Sequence, residues 1–325
     1  MKQFSDYFDV EEREYIKAVL HVKDDNFNAL GEMIQKGIAS TLGSDEADDF
    51  RLIREGVTNI NFQFSLGDNL YVYRCPGFGT EQFISRESEA FGNAAGHRLK
   101  LDPSYIYIDV KEGWKISRFI PFTRKLDYYN NGDVDKALDI MRTLHKSGEN
   151  APRDFLLWEE TDKAYWDILE YGGSRYTDFK AVHKKVSHLA ELSKQDNMPI
   201  VLTHGDCWQP NFLVTEEEGE EKIHLIDWEF SGNCDAGSDL GTFICCSDYN
   251  LSEAVDVIQK YYYGNATKVE LRHMLAYTSF TSYYWFIYMV HLAKRGTEDI
   301  KLEEHWYNNA KSFADGALPY YLDNK

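Results

Sequence analysis

The chain has 325 residues, 43% hydrophobic and 27% charged, enough for a substantial core and two lobes. Thirty-five basic against fifty-four acidic residues give a formal charge of −19, which argues against nucleic acid and anionic membrane as partners and weakly favours a cationic small molecule. Five cysteines (Cys75, Cys207, Cys234, Cys245, Cys246) without a CxxC pair predict free thiols in a reducing compartment. The first residues, MKQFSDYFDVEERE, have neither a basic nor an apolar leader segment, so a cytoplasmic location is expected. The longest apolar segment, 279–293, is too short and too interrupted to span a bilayer and predicts a buried helix.

In chain order, residues 1–47 predict a helical extension, with apolar spacing over Glu11 to Val22 and Phe27 to Ile38. Residues 48–120 predict a small β-rich lobe. Strands are expected at 50–54, 62–66 and 70–74, the last two joined by the turn Gly67-Asp68-Asn69. The loop 55–61 holds Gly56, which permits close backbone approach, and Thr58, Asn59 and Asn61, which can donate to anions. Arg74 ends the third strand. A helix over 81–97 carries Glu87 and Glu89, and the reading favours Glu87 as partner of Arg74. Strands follow at 105–109 and 114–120, and Pro121 ends the lobe. Residues 121–325 predict a larger, mainly helical lobe with helices at 134–145, 154–170 and 175–193, the pair His145-Lys146 marking a helix end. The acidic run 216–221 predicts a solvated hairpin tip, and the chain is expected to be helical from 239 to about residue 321.

Between those helices lies the most informative stretch, VLTHGDCWQPNFLV followed by KIHLIDWE (Val201 to Glu229). It reads as loop, strand, tight turn, strand. Asp206 precedes Asn211 by five positions, and Asp227 follows the hairpin. Phosphoryl transfer needs this set: one carboxylate to take the hydroxyl proton, and a carboxamide and second carboxylate to hold Mg²⁺ against phosphate oxygens. Asp206 is thus the candidate base, and Asn211 and Asp227 are the candidate metal ligands, with ATP as co-substrate. In this arrangement the 55–61 loop and Arg74 face the phosphates, and Arg118-Phe119-Ile120 is the hinge whose backbone meets the adenine edge.

The stretches GVTNINF (56–62), YVYRCPGFGT (71–80), RESEAF (86–91), SRFIP (117–121), HGDCWQPNFLV (204–214), IDWEFSGN (226–233), WFIYMVHLAKRG (285–296) and WYNNAK (306–311) resemble the choline/ethanolamine kinase branch of the aminoglycoside-phosphotransferase-like kinases, with the bacterial choline kinases the most similar. The resemblance implies an α+β, bilobal protein-kinase-like fold and Mg²⁺- and ATP-dependent phosphorylation of an alcohol, most simply choline. It makes Asp206 the base, Asn211 and Asp227 the metal ligands, and Arg74 and Glu87 a phosphate-side pair. It places Trp285, Tyr288 and Tyr307 around a quaternary ammonium, with Trp208, Glu229 and Asp239 completing the acceptor set. A quaternary ammonium has no N–H to donate, so aromatic faces suit it. Two departures are present: Tyr288 stands where such kinases often have tryptophan, and Cys246 stands seven residues after Asp239, where they tend to have an acid. Asp248 is predicted to lie on another helix face. Ethanolamine, thiamine, or an aminoglycoside or sugar remain alternative acceptors. A non-catalytic nucleotide-binding scaffold would be marked by loss of Asp206, Asn211 or Asp227, and all three are present.

Overall fold

A computed structural model describes residues 2–23, 26–54, 58–80, 83–294 and 298–322. Gly56, expected to approach phosphate, lies outside the described residues, as do Arg295 and Gly296 at the end of one resembling stretch. The chain divides into two compact units, Met1–Pro121 and Phe122–Lys325.

The first unit opens with a 3-10 turn (Phe4–Tyr7), then α1 (Val10–Leu20) and α2 (Phe27–Leu42). Asp9 starts α1 by accepting from the Glu12 N–H while Glu12 accepts from the Asp9 N–H. Five strands follow: β1 (Asp48–Ile53), β2 (Ile60–Leu66), β3 (Asn69–Cys75), then after α3 (Arg86–Arg98), β4 (Tyr105–Ile108) and β5 (Lys115–Arg118). They form one antiparallel sheet in the order β1-β2-β3-β5-β4. The helical extension expected over residues 1–47 covers the sheet and supplies half of its buried core. Phe4, Phe8, Ile16, Phe27 and Ile34 are buried together with Phe50, Phe62, Phe64 and Tyr73. The alternating strands show one apolar face, and the amphipathic helices cover it.

The second unit contains β6 (Arg124–Lys125), α4 (Asn131–His145), α5 (Leu157–Glu170), α6 (Phe179–Ser193), β7 (Ile200–Thr203), β8 (Phe212–Glu217), β9 (Glu220–Leu225), β10 (Gly232–Asp235), α7 (Gly237–Cys245), α8 (Leu251–Tyr261), α9 (Lys268–Ala293) and α10 (Ile300–Leu322). The hairpin β8-β9 extends onto β6, and β10 pairs antiparallel with β7, setting Asn233 opposite Leu202. Strand β10 falls in a stretch for which the sequence predicts no strand. Helix α9 is buried on all sides along most of its length and packs against α10, α7 and α5. Its apolar segment is therefore core, and among the described residues no helix is long and apolar enough to cross a membrane.

Candidate active site

Asp206 and Asn211 are in contact, and the 226–227 turn is hydrogen-bonded to the same loop. Strand β7 delivers the chain to His204-Gly205-Asp206. Gly205 has φ +83°, and a Cβ there would lie 2.4 Å from the Phe230 carbonyl oxygen, so only glycine fits without displacement. The Asp206 N–H donates to His204 Nδ1 at 3.2 Å, and His204 Nε2 lies 3.0 Å from the Ile226 carbonyl, which suits the Nε2–H tautomer. Asn211 donates from Nδ2 to the Asp206 carbonyl at 2.9 Å and to Asp206 Oδ2 at 2.8 Å. Its carbonyl accepts from the Ile226 N–H at 3.0 Å, which ties the 226–227 turn to the loop. Asp227 is left-handed, with φ 69° and ψ 64°, a conformation aspartate tolerates better than most residues.

Asp206 is partly exposed, yet its carboxyl is pushed well above the ordinary range. Withdrawal from water is the main cause and the negative charge of Asp227 the next; the Asn211 hydrogen bond opposes both. An aspartate held there is a better proton acceptor than a solvated one. Because Asn211 commits its Nδ2 to Asp206, its Oδ1 is the atom it can offer a cation. Asn211 Oδ1 and the partly exposed Asp227 carboxylate give two hard oxygen donors. That donor set fits a hard divalent cation such as Mg²⁺, which Asn211 and Asp227 would hold.

Asp239, expected among the acceptor-binding residues, has its carboxylate engaged by the protein's own groups. It is fully buried at the start of α7. Its Oδ2 accepts from the His204 N–H and lies 2.9 Å from His145 Nε2; its Oδ1 accepts from the Gly205 N–H at 2.7 Å. Burial would raise its carboxyl, but these partners hold it below the ordinary value. It holds the loop that carries Asp206. His145, read from sequence as a mere helix end, is part of this cluster.

Trp285 and Tyr288, three apart on α9, do come together. Their ring centroids lie 5.7 Å apart, and Phe230 meets them at 5.3 and 5.9 Å. The Trp285 indole N–H donates to Thr242 Oγ1 at 3.2 Å. Trp285 is nearly buried, whereas Tyr288 keeps part of its surface open. Tyr307 is not in this group. It is buried against Tyr176 and Phe286, and its hydroxyl donates to Asp178 at 2.6 Å. The ring that reaches Trp285 from α10 is Trp306, at 5.8 Å. Positions 306 and 307 are both buried, so apolar spacing alone could not separate them. Phe230, Tyr284 and Trp306 are the cluster members the sequence reading missed. Glu229 is buried on the turn after Asp227 and adds its negative charge to the field at Asp206. Trp208 is half-buried, and its backbone links Asp206 to Asn211. Cys246 caps α7; burial pushes its thiol well up, and Asp206 pushes it further. Asp248 is exposed.

In the first unit Arg74 pairs with Glu89, not Glu87. Arg74 Nη1 lies 2.5 Å from Glu89 Oε1, both side chains are buried, and Arg86 reaches the other carboxylate oxygen at 2.7 Å. The reason is helix phase. Ser85 caps α3, so Glu87 falls on the open side of the first turn and Glu89 faces inward with Ser88, Gly92 and Asn93. Burial would raise the Glu89 carboxyl, but the charges of Arg74, Lys115 and Arg86 outweigh it and lower it to about 2. Asn61 lies opposite Arg74 in the β2-β3 register, while Asn59 is buried and its Oδ1 accepts from the Gly77 N–H at 3.3 Å. Thr58 is half-buried, and its carbonyl lies 1.7 Å from where a Gly77 Cβ would be. Arg118 and Phe119 donate their N–H groups to Ser104 and Leu70 at 2.7 and 3.0 Å, so an adenine edge would have to use other backbone atoms of 118–120.

An antiparallel-sheet unit followed by a mainly helical unit with this loop and hairpin is the kinase-like fold. Choline kinase LicA from Streptococcus pneumoniae shares it at TM-score 0.74 and 21% identity, over 89% of this chain and 99% of that one; LicA in complex with AMP gives 0.72. The choline/ethanolamine kinase family model matches residues 50–279, and the chain belongs to that family. Protein LicA of Haemophilus influenzae is 26% identical over 219 residues, 66% of this chain and 62% of the relative's own length. A probable ethanolamine kinase of Arabidopsis thaliana is 26% identical over 213 residues, 57% of this chain and 53% of that protein.

Proposed function

We propose that the protein transfers the γ-phosphoryl group of ATP to the hydroxyl of a small amino alcohol, with choline as the preferred acceptor. The observation that carries the reading is the joint placement of Asp206, Asn211 and Asp227 on one hydrogen-bonded loop and turn, a proton acceptor beside two hard oxygen donors. Asp206 accepts the hydroxyl proton as the oxygen attacks. Asn211 and Asp227 would hold Mg²⁺, which supplies charge neutralisation at the phosphates. Arg74, Thr58 and Asn61 belong to the unit that would contribute nucleotide contacts.

The choline preference rests on the aromatic group of Phe230, Trp285, Tyr288 and Trp306. A trimethylammonium head is held by ring faces, each worth roughly 0.5–2 kcal/mol. A primary ammonium instead seeks oxygen acceptors, and the thiol of Cys246, kept protonated by burial, is a poor one. The test is ADP release with purified protein, MgATP and a panel of choline, ethanolamine, thiamine and an aminoglycoside. The reading expects choline to give the highest kcat/KM, with the difference mostly in KM. Turnover of ethanolamine alone would keep the kinase and remove choline; turnover of none would remove the kinase.

A further inference from the structure

A relay of buried side chains runs from α8 to the base, and its members are far apart in the chain. Tyr261, at the end of α8, sets its hydroxyl 2.7 Å from His145 Nδ1. His145, at the end of α4, sets Nε2 2.9 Å from Asp239 Oδ2. Asp239 holds the His204 and Gly205 N–H groups, and the next residue is Asp206. All three side chains are buried: Tyr261 and His145 are each 8% exposed and Asp239 is 0% exposed. The carboxylate accepts from Nε2–H of His145, and in the neutral imidazole Nδ1 then accepts from the tyrosine hydroxyl, which burial keeps protonated by pushing it far above its ordinary pKa. One helical turn before His145, Arg142 donates to the Lys260 and Tyr261 carbonyls at 3.1 Å each, so α4 fixes the end of α8 from which Tyr261 projects.

We propose that His145, oriented by Tyr261, is a positioning residue for phosphoryl transfer, acting through Asp239 on the loop that carries Asp206. The physical ground is that a buried carboxylate keeps its charge and place only while its lone pairs are met. Besides the His204 and Gly205 N–H groups, Asp239 has the Cys207 thiol beside it, and all three belong to the loop; His145 is the partner that comes from outside it. Without it the carboxylate is anchored solely by the segment it should hold, and the Gly205 backbone, left-handed and pressed against Phe230, loses its external reference. The base then samples positions from which the acceptor hydroxyl is misaligned. This rests on the proposed kinase function.

The test uses the full-length protein and four variants: His145→Leu, His145→Gln, Tyr261→Phe and the His145→Leu/Tyr261→Phe double. For His145→Leu, kcat should fall about 30- to 100-fold while the KM values for acceptor and MgATP stay within about threefold. His145→Gln, whose amide can donate to Asp239, should recover most of the loss. Tyr261→Phe should lose about three- to tenfold, and the double variant should be no worse than His145→Leu alone, because the tyrosine acts only through the histidine. Amide hydrogen exchange, read by mass spectrometry over residues 201–208 without substrate, should quicken at least about tenfold in His145→Leu. A folded His145→Leu with kcat within twofold of wild type, or fully additive losses in the double variant, overturns the proposal. If His145→Leu does not fold, Tyr261→Phe decides: unchanged kcat and exchange overturn the relay. A wild type that phosphorylates no acceptor defeats the kinase reading instead, and the exchange measurement still judges the relay.

Discussion

Two fully buried carboxylates, one in each unit, stay charged by opposite means. Glu89 is surrounded by cations: Arg74 at 2.5 Å, Arg86 at 2.7 Å, and the charge of Lys115. Asp239 is met mainly by hydrogen-bond donors, two backbone N–H groups, the His145 imidazole and the Cys207 thiol. Neutralisation by cations ties a helix to a strand and leaves little net field. Satisfaction by hydrogen-bond donors leaves the negative charge in place, so Asp239 adds to the field that keeps Asp206 a strong proton acceptor. The first arrangement serves cohesion, and on the proposed function the second serves chemistry.

Removing the functional charge should have the largest effect. Asp206→Asn keeps the shape and the Asn211 contact but cannot take a proton, so kcat should fall by roughly 10²–10⁴ while ATP binding survives. Steady-state turnover with nucleotide binding by calorimetry checks this, and near-normal turnover would remove Asp206 as base. Asp227→Ala should abolish most turnover and weaken MgATP binding, with extra Mg²⁺ restoring only part, since a misplaced ion no longer aligns the phosphoryl group. Titration of MgATP against the variant reads it.

On the cohesive side, Glu89→Gln should destabilise the fold by about 3–5 kcal/mol by leaving buried Arg74 uncompensated, measured by urea unfolding. The same pair predicts an acid limb. The Glu89 carboxyl is lowered from 4.5 to about 2, so its contribution is present above pH 4.5 and is lost as the pH falls through 2. That contribution is about 3 kcal/mol, and the limb should flatten in Glu89→Gln. An unchanged acid profile in that variant would place the sensitivity elsewhere.

How much of this was legible in sequence follows from range. Asp206, Asn211 and Asp227 lie within one loop–hairpin stretch whose geometry is local, so spacing alone groups them. The choice of Glu89 over Glu87 depends on where α3 begins, and a cap at Ser85 turns the helix so that the second acid faces inward. Residues 1–47 show an amphipathic pattern that fits a free extension or a cover for the sheet equally well; only the exposed face of the sheet core decides. The His145–Asp239 contact spans 94 positions and left no local trace. Asp239 and Tyr307 illustrate the same limit: their residue types suit an acceptor site, but burial and committed hydrogen bonds assign them to support.

The smallest expected effect sharpens the acceptor assignment. Trp285→Ala should raise the choline KM about tenfold, near 1.4 kcal/mol, and leave the ATP KM unchanged. Paired KM measurements check it; a folded variant with unchanged choline KM would return Trp285 to the core.

The close approach of Gly205 to Phe230 has a further consequence. Phe230 touches the loop that carries the base through its backbone and touches Trp285 and Tyr288 through its ring. On the proposed function, one residue is thus a wall of the acceptor group and a wall of the loop that carries Asp206. Acceptor preference would then not drift independently of turnover: a change that reshapes the aromatic group by moving Phe230 also moves the ground on which Gly205 rests. Shifts of specificity that preserve rate would then come first from Trp306, whose ring meets Trp285.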